Sequence, residues 1–114
     1  MGAVFVGKNN GIVVINNGTQ TYLSPRKRIS DEFCWGRGAI CAAETAYCIL
    51  YYCCGARKAE ALHTLFKWDV ISKLKKTGWV LKEEWVKKWA EIQLRLLNNK
   101  NKQKKLITLT IQKK

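Results

Sequence analysis

Residues 39–54, AICAAETAYCILYYCC, decide the fold of this 114-residue chain because they are apolar almost all round. A helix that is apolar on every side is stable only when the rest of the protein covers it. Gly55 follows directly and suits the left-handed position that often ends a helix. We therefore predict a helix from Ala39 to Cys54, buried at the centre of a single domain spanning residues 1–114.

A glycine turn, Trp35-Gly36-Arg37-Gly38, precedes this helix. Glycine permits a tight turn, and the free N–H groups and dipole at a helix N-terminus favour an anion, to which Arg37 adds a positive charge. The competing interpretation is structural: Gly36 and Gly38 let the chain turn against the helix while Trp35 fills the core. The spacing matches neither a Walker A nor a Rossmann loop.

The N-terminal segment predicts a three-stranded antiparallel meander. Asn9-Asn10-Gly11 and Asn17-Gly18 separate its β-branched runs, and Asn-Gly tolerates the positive φ that two-residue hairpin turns require. The predicted strands are 3–8, 12–16 and 19–23. Ser24-Pro25 then predicts a loop.

Two amphipathic helices and a final strand complete the predicted α+β fold. The first helix spans 57–76 and the second 82–98, because apolar residues recur there at helical spacing. The two stripes are Leu62, Phe66, Val70 and Leu74, and Trp85, Trp89, Ile92 and Leu96. We expect both to belong to the core. A basic, flexible loop at 98–105 is predicted to lead into a strand at 106–111, LITLTI, that joins the sheet.

The charge is strongly positive and unevenly distributed. Lys and Arg number 21 against 8 Asp and Glu, giving a formal net charge of +13 at pH 7. Residues 1–55 carry five basic and three acidic residues, and residues 56–114 carry sixteen and five. A positive field of this size attracts polyanions such as nucleic acid. The alternative is a solvated lysine-rich surface, since Lys exceeds Arg sixteen to five.

The candidate anion-binding residues are the basic side chains that cluster along the chain. They are Arg26, Lys27 and Arg28 in the loop after the meander, Arg37 in the glycine turn, Lys73, Lys75 and Lys76 at the end of the predicted helix 57–76, and Lys100, Lys102, Lys104 and Lys105 near the C-terminus. Exposed aromatic side chains for base stacking cannot be identified, because every Trp has a plausible core position.

The inventory of reactive groups argues against catalysis. His63 is the only histidine. The five cysteines are an odd number, with neither a C-x-x-C pair among them nor a distant histidine to complete a zinc site. We predict no metal, no cofactor and no enzymatic activity. We expect free thiols, with an intracellular disulfide as the alternative if the source is a hyperthermophile. Cys34 beside Arg37 is the one thiol that could be reactive. With neither a signal peptide nor a membrane span predicted, we expect the cytoplasm and no membrane partner.

Residues 33–50, FCWGRGAICAAETAYCIL, resemble without a gap the hallmark FEWGYGGSGPAQLALAIL of domain of unknown function 6166. The identical positions are Phe33, Trp35, Gly36, Gly38, Ala43, Ala46, Ile49 and Leu50. The likeness continues over roughly residues 11–95. It implies a small α+β domain of bacteria, phages and other mobile elements, with no activity attached. The hallmark's GSGP is replaced here by residues 39–42, AICA, which argues against a phosphate-cradling backbone.

These observations favour a non-enzymatic binding protein of a virus or mobile element. We expect it to contact nucleic acid, or a nucleic-acid-bearing host defence complex, through its basic surface in the host cytoplasm. Two alternatives remain open. The protein could be an anti-CRISPR-like inhibitor that docks directly on a host protein, or it could capture a small anionic nucleotide at Arg37 and the glycine turn.

Overall fold

A computed structural model describes the backbone of residues 2–8, 11–27 and 29–112, and the side chains within those ranges as far as residue 99. In these ranges the elements are β1 (Val4–Lys8), β2 (Gly11–Asn16), β3 (Thr19–Tyr22), α1 (Ile40–Cys54), α2 (Ala56–Asp69), a 3-10 turn (Ile71–Lys73), β4 (Trp79–Lys82) and α3 (Glu83–Gln112). The predicted α+β class is confirmed.

The first three strands form the predicted meander within one antiparallel sheet of order β3-β2-β1-β4. Asn17 and Gly18 have φ values of 53° and 81°, as expected of the hairpin turn between β2 and β3. Side chains alternate between the two faces of the sheet, so Phe5, Ile12 and Val14 are all buried on one of them. This face forms one wall of the core.

The fourth strand is not the one that the sequence predicted. The prediction of a strand at 106–111 is wrong: the strand beside β1 is Trp79–Lys82, and 106–111 are helical within α3. The predicted loop at 98–105 is also part of this helix. Neither glycine nor proline occurs anywhere in 83–112, so nothing in the sequence interrupts helical hydrogen bonding once α3 has begun.

The helix predicted at the centre of the domain is confirmed as α1. Four of its side chains are 0% exposed: Ala42, Ala46, Ile49 and Leu50. Gly55 has the predicted positive φ, at 91°, and its N–H donates to the Tyr51 carbonyl at 2.9 Å. The helix therefore ends where its apolar run ends, and α2 starts at the next residue.

The predicted apolar stripe of α3 is only partly core. Trp89 is buried against Phe66 of α2, with ring centroids 4.8 Å apart. Trp85, Ile92 and Leu96 are instead 46%, 49% and 51% exposed. At 30 residues α3 is about twice as long as α1 and α2, which have 15 and 14, and a helix of that length spans about 45 Å. The buried face of α3 is centred on Val86, Trp89 and Ala90, so the predicted stripe shares only Trp89 with it.

Candidate anion-binding groove

The glycine turn packs against the connection between α2 and β4. Gly36 has a φ of 77°, and its N–H donates to the Ile71 carbonyl at 3.0 Å. A Cβ added to Gly36 would lie 2.7 Å from Cγ of Lys76 and 3.0 Å from the Leu74 carbonyl oxygen. A Cβ on Gly38 would lie 2.1 Å from the Trp68 ring. Both glycines therefore allow the chain to approach its neighbours closely.

Trp35 fixes the position of Lys76 relative to this turn. Its side chain is 6% exposed, it packs edge-to-face on Trp79 with ring centroids 5.3 Å apart, and its indole N–H donates to the Lys76 carbonyl at 3.2 Å. As a result, Arg37 and Lys76 line one depression of about 220 Å³. We call it the lysine notch. The described residues that line it include two cations and no Asp or Glu.

A disulfide joins the two ends of the segment that contains the turn. Cys34 and Cys41 are bonded, with Cα atoms 5.1 Å apart, so the prediction of free thiols is wrong for this pair. The turn brings together two residues whose spacing in sequence does not reveal their proximity, and the distance is within the range that disulfides require. Cys34 is therefore not a reactive thiol. Cys48 and Cys53 are free and buried, and Cys54 is free and half-buried.

Glu44 of α1 organises the basic loop that follows the meander. The side chain is fully buried, and its carboxylate accepts hydrogen bonds from four backbone N–H groups and from one thiol. The donors are Arg26 at 2.8 Å, Lys27 at 2.9 Å, Ile29 at 2.7 Å, Ser30 at 3.4 Å and Cys48 Sγ at 3.1 Å. The loop thus wraps around one buried negative charge.

The ionisation of Glu44 follows from these contacts. Burial acts to raise the pKa of its carboxyl, but the hydrogen bonds from Cys48 and from the backbone of Arg26, Lys27 and Ile29 outweigh it and hold the pKa below its usual value. Burial, together with the neighbouring carboxylate, raises the pKa of the Cys48 thiol to about 12. The thiol therefore stays protonated and can donate to Glu44.

The basic residues of this loop have different environments. The Arg26 guanidinium lies 4.0 Å from the centroid of the Tyr51 ring and donates to its hydroxyl at 3.1 Å, while the side chain remains exposed. Lys27 forms an ion pair with Glu60 and lies 4.9 Å from the centroid of the Tyr47 ring. Lys27 is therefore largely neutralised, whereas Arg26 keeps its charge at the surface. Arg28 lies outside the described residues.

Two further clefts continue from the lysine notch: the first shares Cys34 and Arg37 with the notch, and the second shares Tyr22 and Leu23 with the first. The Arg37 cleft, of about 600 Å³, is lined by Arg37, Cys34, Asp31, Glu32, Tyr22 and Leu23 among others. The tyrosine cleft, of about 400 Å³, is lined by Tyr22, Tyr51, Tyr52, Leu23 and Arg26 among others. Shared lining residues connect the three depressions, so they follow one another across the surface as a groove. Its described cations are Arg26, Arg37 and Lys76, and its acids, Asp31 and Glu32, lie in the middle.

The other predicted anion-binding residues are not all part of this groove. Lys73 of the 3-10 turn pairs at 4.0 Å with Asp69, the last residue of α2, and Lys75 is exposed next to Lys76. The side chains of Lys100, Lys102, Lys104 and Lys105 lie outside the described part of the molecule. The described structure thus brings together Arg26, Arg37 and Lys76 from the predicted set.

Sequence reasoning missed Glu44 and the tyrosines of the groove. Glu44 is the only charged residue in the run 39–54, and a charge in an otherwise apolar helix signals a buried partner. Tyr22 offered no comparable signal, because a tyrosine at the end of a strand is as compatible with burial as with exposure. Its 79% exposure is decided by the position of β3 at the edge of the sheet.

The described residues include neither a cluster of metal ligands nor a membrane-spanning helix. They contain no group of three or more His, Cys, Asp or Glu side chains arranged to hold a metal ion. None of the helices, over the residues described, combines the length and the apolar character that crossing a membrane requires.

Comparison with known proteins gives one match. Residues 5–92 match the model of a family of unknown function, DUF6166. The match covers all of β1 except Val4, the other three strands, α1, α2 and the start of α3. Neither the curated proteins nor the solved structures gave a match. The match agrees with the resemblance carried by residues 33–50.

Proposed function

This chain belongs to the DUF6166 family, whose function is unknown, and from that premise we propose that it binds nucleic acid through the groove that contains Arg37 and Lys76. The observation that carries the proposal is the lysine notch, where an Arg and a Lys distant in sequence face one depression with no acid among its described lining residues. Two neighbouring cations that meet no carboxylate among the described lining residues suit a phosphate, and Arg can bind it bidentately.

The charge of the whole chain supports this proposal. A formal net charge of +13 raises the local concentration of polyanions around the protein, and phosphate contacts of this kind depend little on base sequence. We therefore expect affinity that falls steeply with salt, because each phosphate contact releases condensed counterions. Asp31 and Glu32 lie in the middle of the groove and would repel phosphates there, so we expect the phosphates to bind near the two ends of the groove.

The double variant Arg37→Ala/Lys76→Ala tests the proposal. We expect its affinity for a labelled oligonucleotide at ~50 mM salt to fall about tenfold or more. The negative slope of log affinity against log salt should become less steep by about 2. Fluorescence anisotropy over a salt series measures both quantities. The control is Arg57→Ala/Lys88→Ala, which removes one Arg and one Lys that are exposed on α2 and α3 and do not line the groove.

Two results would contradict the proposal. If the control pair weakens binding as much as the groove pair does, only the net charge matters and the groove has no special role. If the unaltered protein binds neither DNA nor RNA at ~50 mM salt, where such contacts are strongest, the protein does not bind nucleic acid. A host protein that stays bound after nuclease treatment of a lysate would then favour the inhibitor alternative.

The exposed apolar side chains are the observation that favours that alternative. Trp68 on α2 and Trp85, Ile92 and Leu96 on α3 are each 46% to 54% exposed. Side chains of this size are enriched at protein interfaces, and a protein partner could cover them. We further propose an origin in a virus or other mobile element, which the resemblance of residues 33–50 supports. Genes for defence or anti-defence proteins beside this one would strengthen that proposal.

A further inference from the structure

The tyrosine cleft combines exposed aromatic surface with a planar cation. Tyr22 is 79% exposed, more than any other large apolar side chain among the described residues. Tyr52 is 39% exposed, and Arg26 lies over the ring of Tyr51. No Asp or Glu is found among the described residues that line this cleft. Exposing this much aromatic surface is unfavourable in water, so the cleft is suited to a ligand that covers it.

The walls of the cleft are held in place by the protein itself. The Leu23 N–H donates to the Ile12 carbonyl at 2.8 Å, which fixes the backbone directly after Tyr22 on β2. The Tyr52 hydroxyl accepts a hydrogen bond from Asn16 Nδ2 at 3.3 Å, and its ring packs edge-to-face on Phe5 with centroids 5.2 Å apart. A ligand would therefore meet a site whose walls are already arranged, which reduces the entropic cost of binding.

The conformation of Arg26 is fixed from two sides. Its backbone N–H donates to Glu44 Oε2 at 2.8 Å, and its guanidinium donates to the Tyr51 hydroxyl at 3.1 Å. A guanidinium held 4.0 Å from the centroid of a tyrosine ring adds a planar cation to the aromatic surface of the cleft. Nucleobases stack on aromatic rings and on Arg planes, and every base has such a face.

We propose that the tyrosine cleft takes unpaired bases, so that this protein prefers single-stranded nucleic acid to a duplex. The inference rests on the proposed function, because the phosphates of the same strand would continue towards Arg37 and Lys76. Bases in a duplex are stacked on one another and cannot enter a cleft at the edge of a sheet. A volume of about 400 Å³ lies within the range of small-molecule sites, roughly 300–1,000 Å³.

The test compares Tyr22→Ala with the unaltered protein on a single-stranded oligonucleotide and on a duplex of the same sequence, at the same salt. Stacking on one aromatic side chain contributes 1–3 kcal/mol per base, so we expect roughly 5- to 150-fold weaker binding of the single strand and no change for the duplex. Tyr22→Phe retains the ring and should bind as the unaltered protein does. Trp85→Ala removes an exposed aromatic outside the groove and serves as the control.

Arg26→Lys provides a second variant that keeps the charge and removes the planar guanidinium. We expect this variant to bind the single strand more weakly while its binding of the duplex changes less, because a Lys ammonium cannot stack on a base as Arg does. The inference is overturned if the unaltered protein binds both forms equally, or if Tyr22→Ala weakens both forms by the same factor. In either case the groove proposal stands, whereas loss of all binding at ~50 mM salt would remove both.

Discussion

Replacing Glu44 with alanine is expected to lower the free energy of unfolding by about 3 kcal/mol, because it leaves buried donors without an acceptor. Four backbone N–H groups of the loop converge on this carboxylate, and the sequence of α1 contains no second acidic residue. Each unsatisfied buried donor costs about 1–3 kcal/mol, although loop donors that reach water will recover part of this. Urea denaturation followed by circular dichroism measures the change.

Two further variants serve for comparison: Glu44→Gln as an intermediate substitution and Glu60→Gln as a control. A glutamine at position 44 keeps one acceptor oxygen but turns an NH2 group towards donors, so we expect a loss between those of the unaltered protein and Glu44→Ala. Glu60 is exposed and its ion pair among the described residues is with Lys27, so its substitution should leave the unfolding midpoint nearly unchanged. If Glu44→Ala unfolds at the same urea concentration as the unaltered protein, Glu44 does not hold the loop.

Stability should fall on acidification because of the same carboxylate. Its pKa is lowered in the folded protein and about 4.3 in the unfolded chain, so its contribution is fully present above the unfolded value and is lost as pH falls through the folded value. The difference in unfolding free energy between the unaltered protein and Glu44→Gln should be constant from pH 7 to about pH 5 and shrink below about pH 4. A difference that grows on acidification would mean that the folded pKa is raised instead.

Gly7→Ala is the second substitution with a large expected effect. A Cβ at position 7 would lie 2.2 Å from Cε2 of the Trp79 indole, which is 8% exposed and packed edge-to-face on Trp35. The indole cannot move away without disturbing Trp35 and the glycine turn, so we expect a loss of about 2–3 kcal/mol. The free energy of unfolding in urea measures it.

The sheet offers a matched control for this substitution. Gly11 starts β2, and a Cβ there would meet its nearest atoms only at 3.8 Å and 4.0 Å. Gly11→Ala should therefore change stability by less than about 0.5 kcal/mol. Adding Trp79→Leu to Gly7→Ala makes room for the methyl group. The free energy of unfolding of the double variant should therefore fall by less than the sum of the losses in the two single variants. Strict additivity would show that the indole and the methyl group do not compete for space.

Elements that follow from a local sequence pattern could be predicted. Elements whose structure depends on neighbouring segments, or whose pattern is too short, could not. The run 39–54 has one stable arrangement, a covered helix, and Asn17-Gly18 forms the predicted hairpin turn. Residues 106–111 have strand propensity, but they follow a helix with no interruption and are helical. Trp79–Lys82 is only four residues long and lies between helical segments, so its pattern is too short to identify β4.

The candidate site shows the same division. The basic residues and the glycine turn were visible in the sequence, and so was the choice between an anion site and a tight turn. Which cations share a depression depends on the path of the chain through α2 and the 3-10 turn, which brings Lys76 back to Trp35 and Arg37. The Cys34–Cys41 bond depends on the same kind of proximity.

By itself the sequence determined the buried central helix, the meander and the distribution of positive charge, because each follows from the chemistry of neighbouring residues. The tertiary structure decided the order of the sheet, the role of Glu44, the exposure of Tyr22 and the meeting of Arg37 with Lys76. The physical reason is that burial and contact between distant residues depend on how all elements pack together. Local periodicity determines which face of an element is apolar, but not what that face meets.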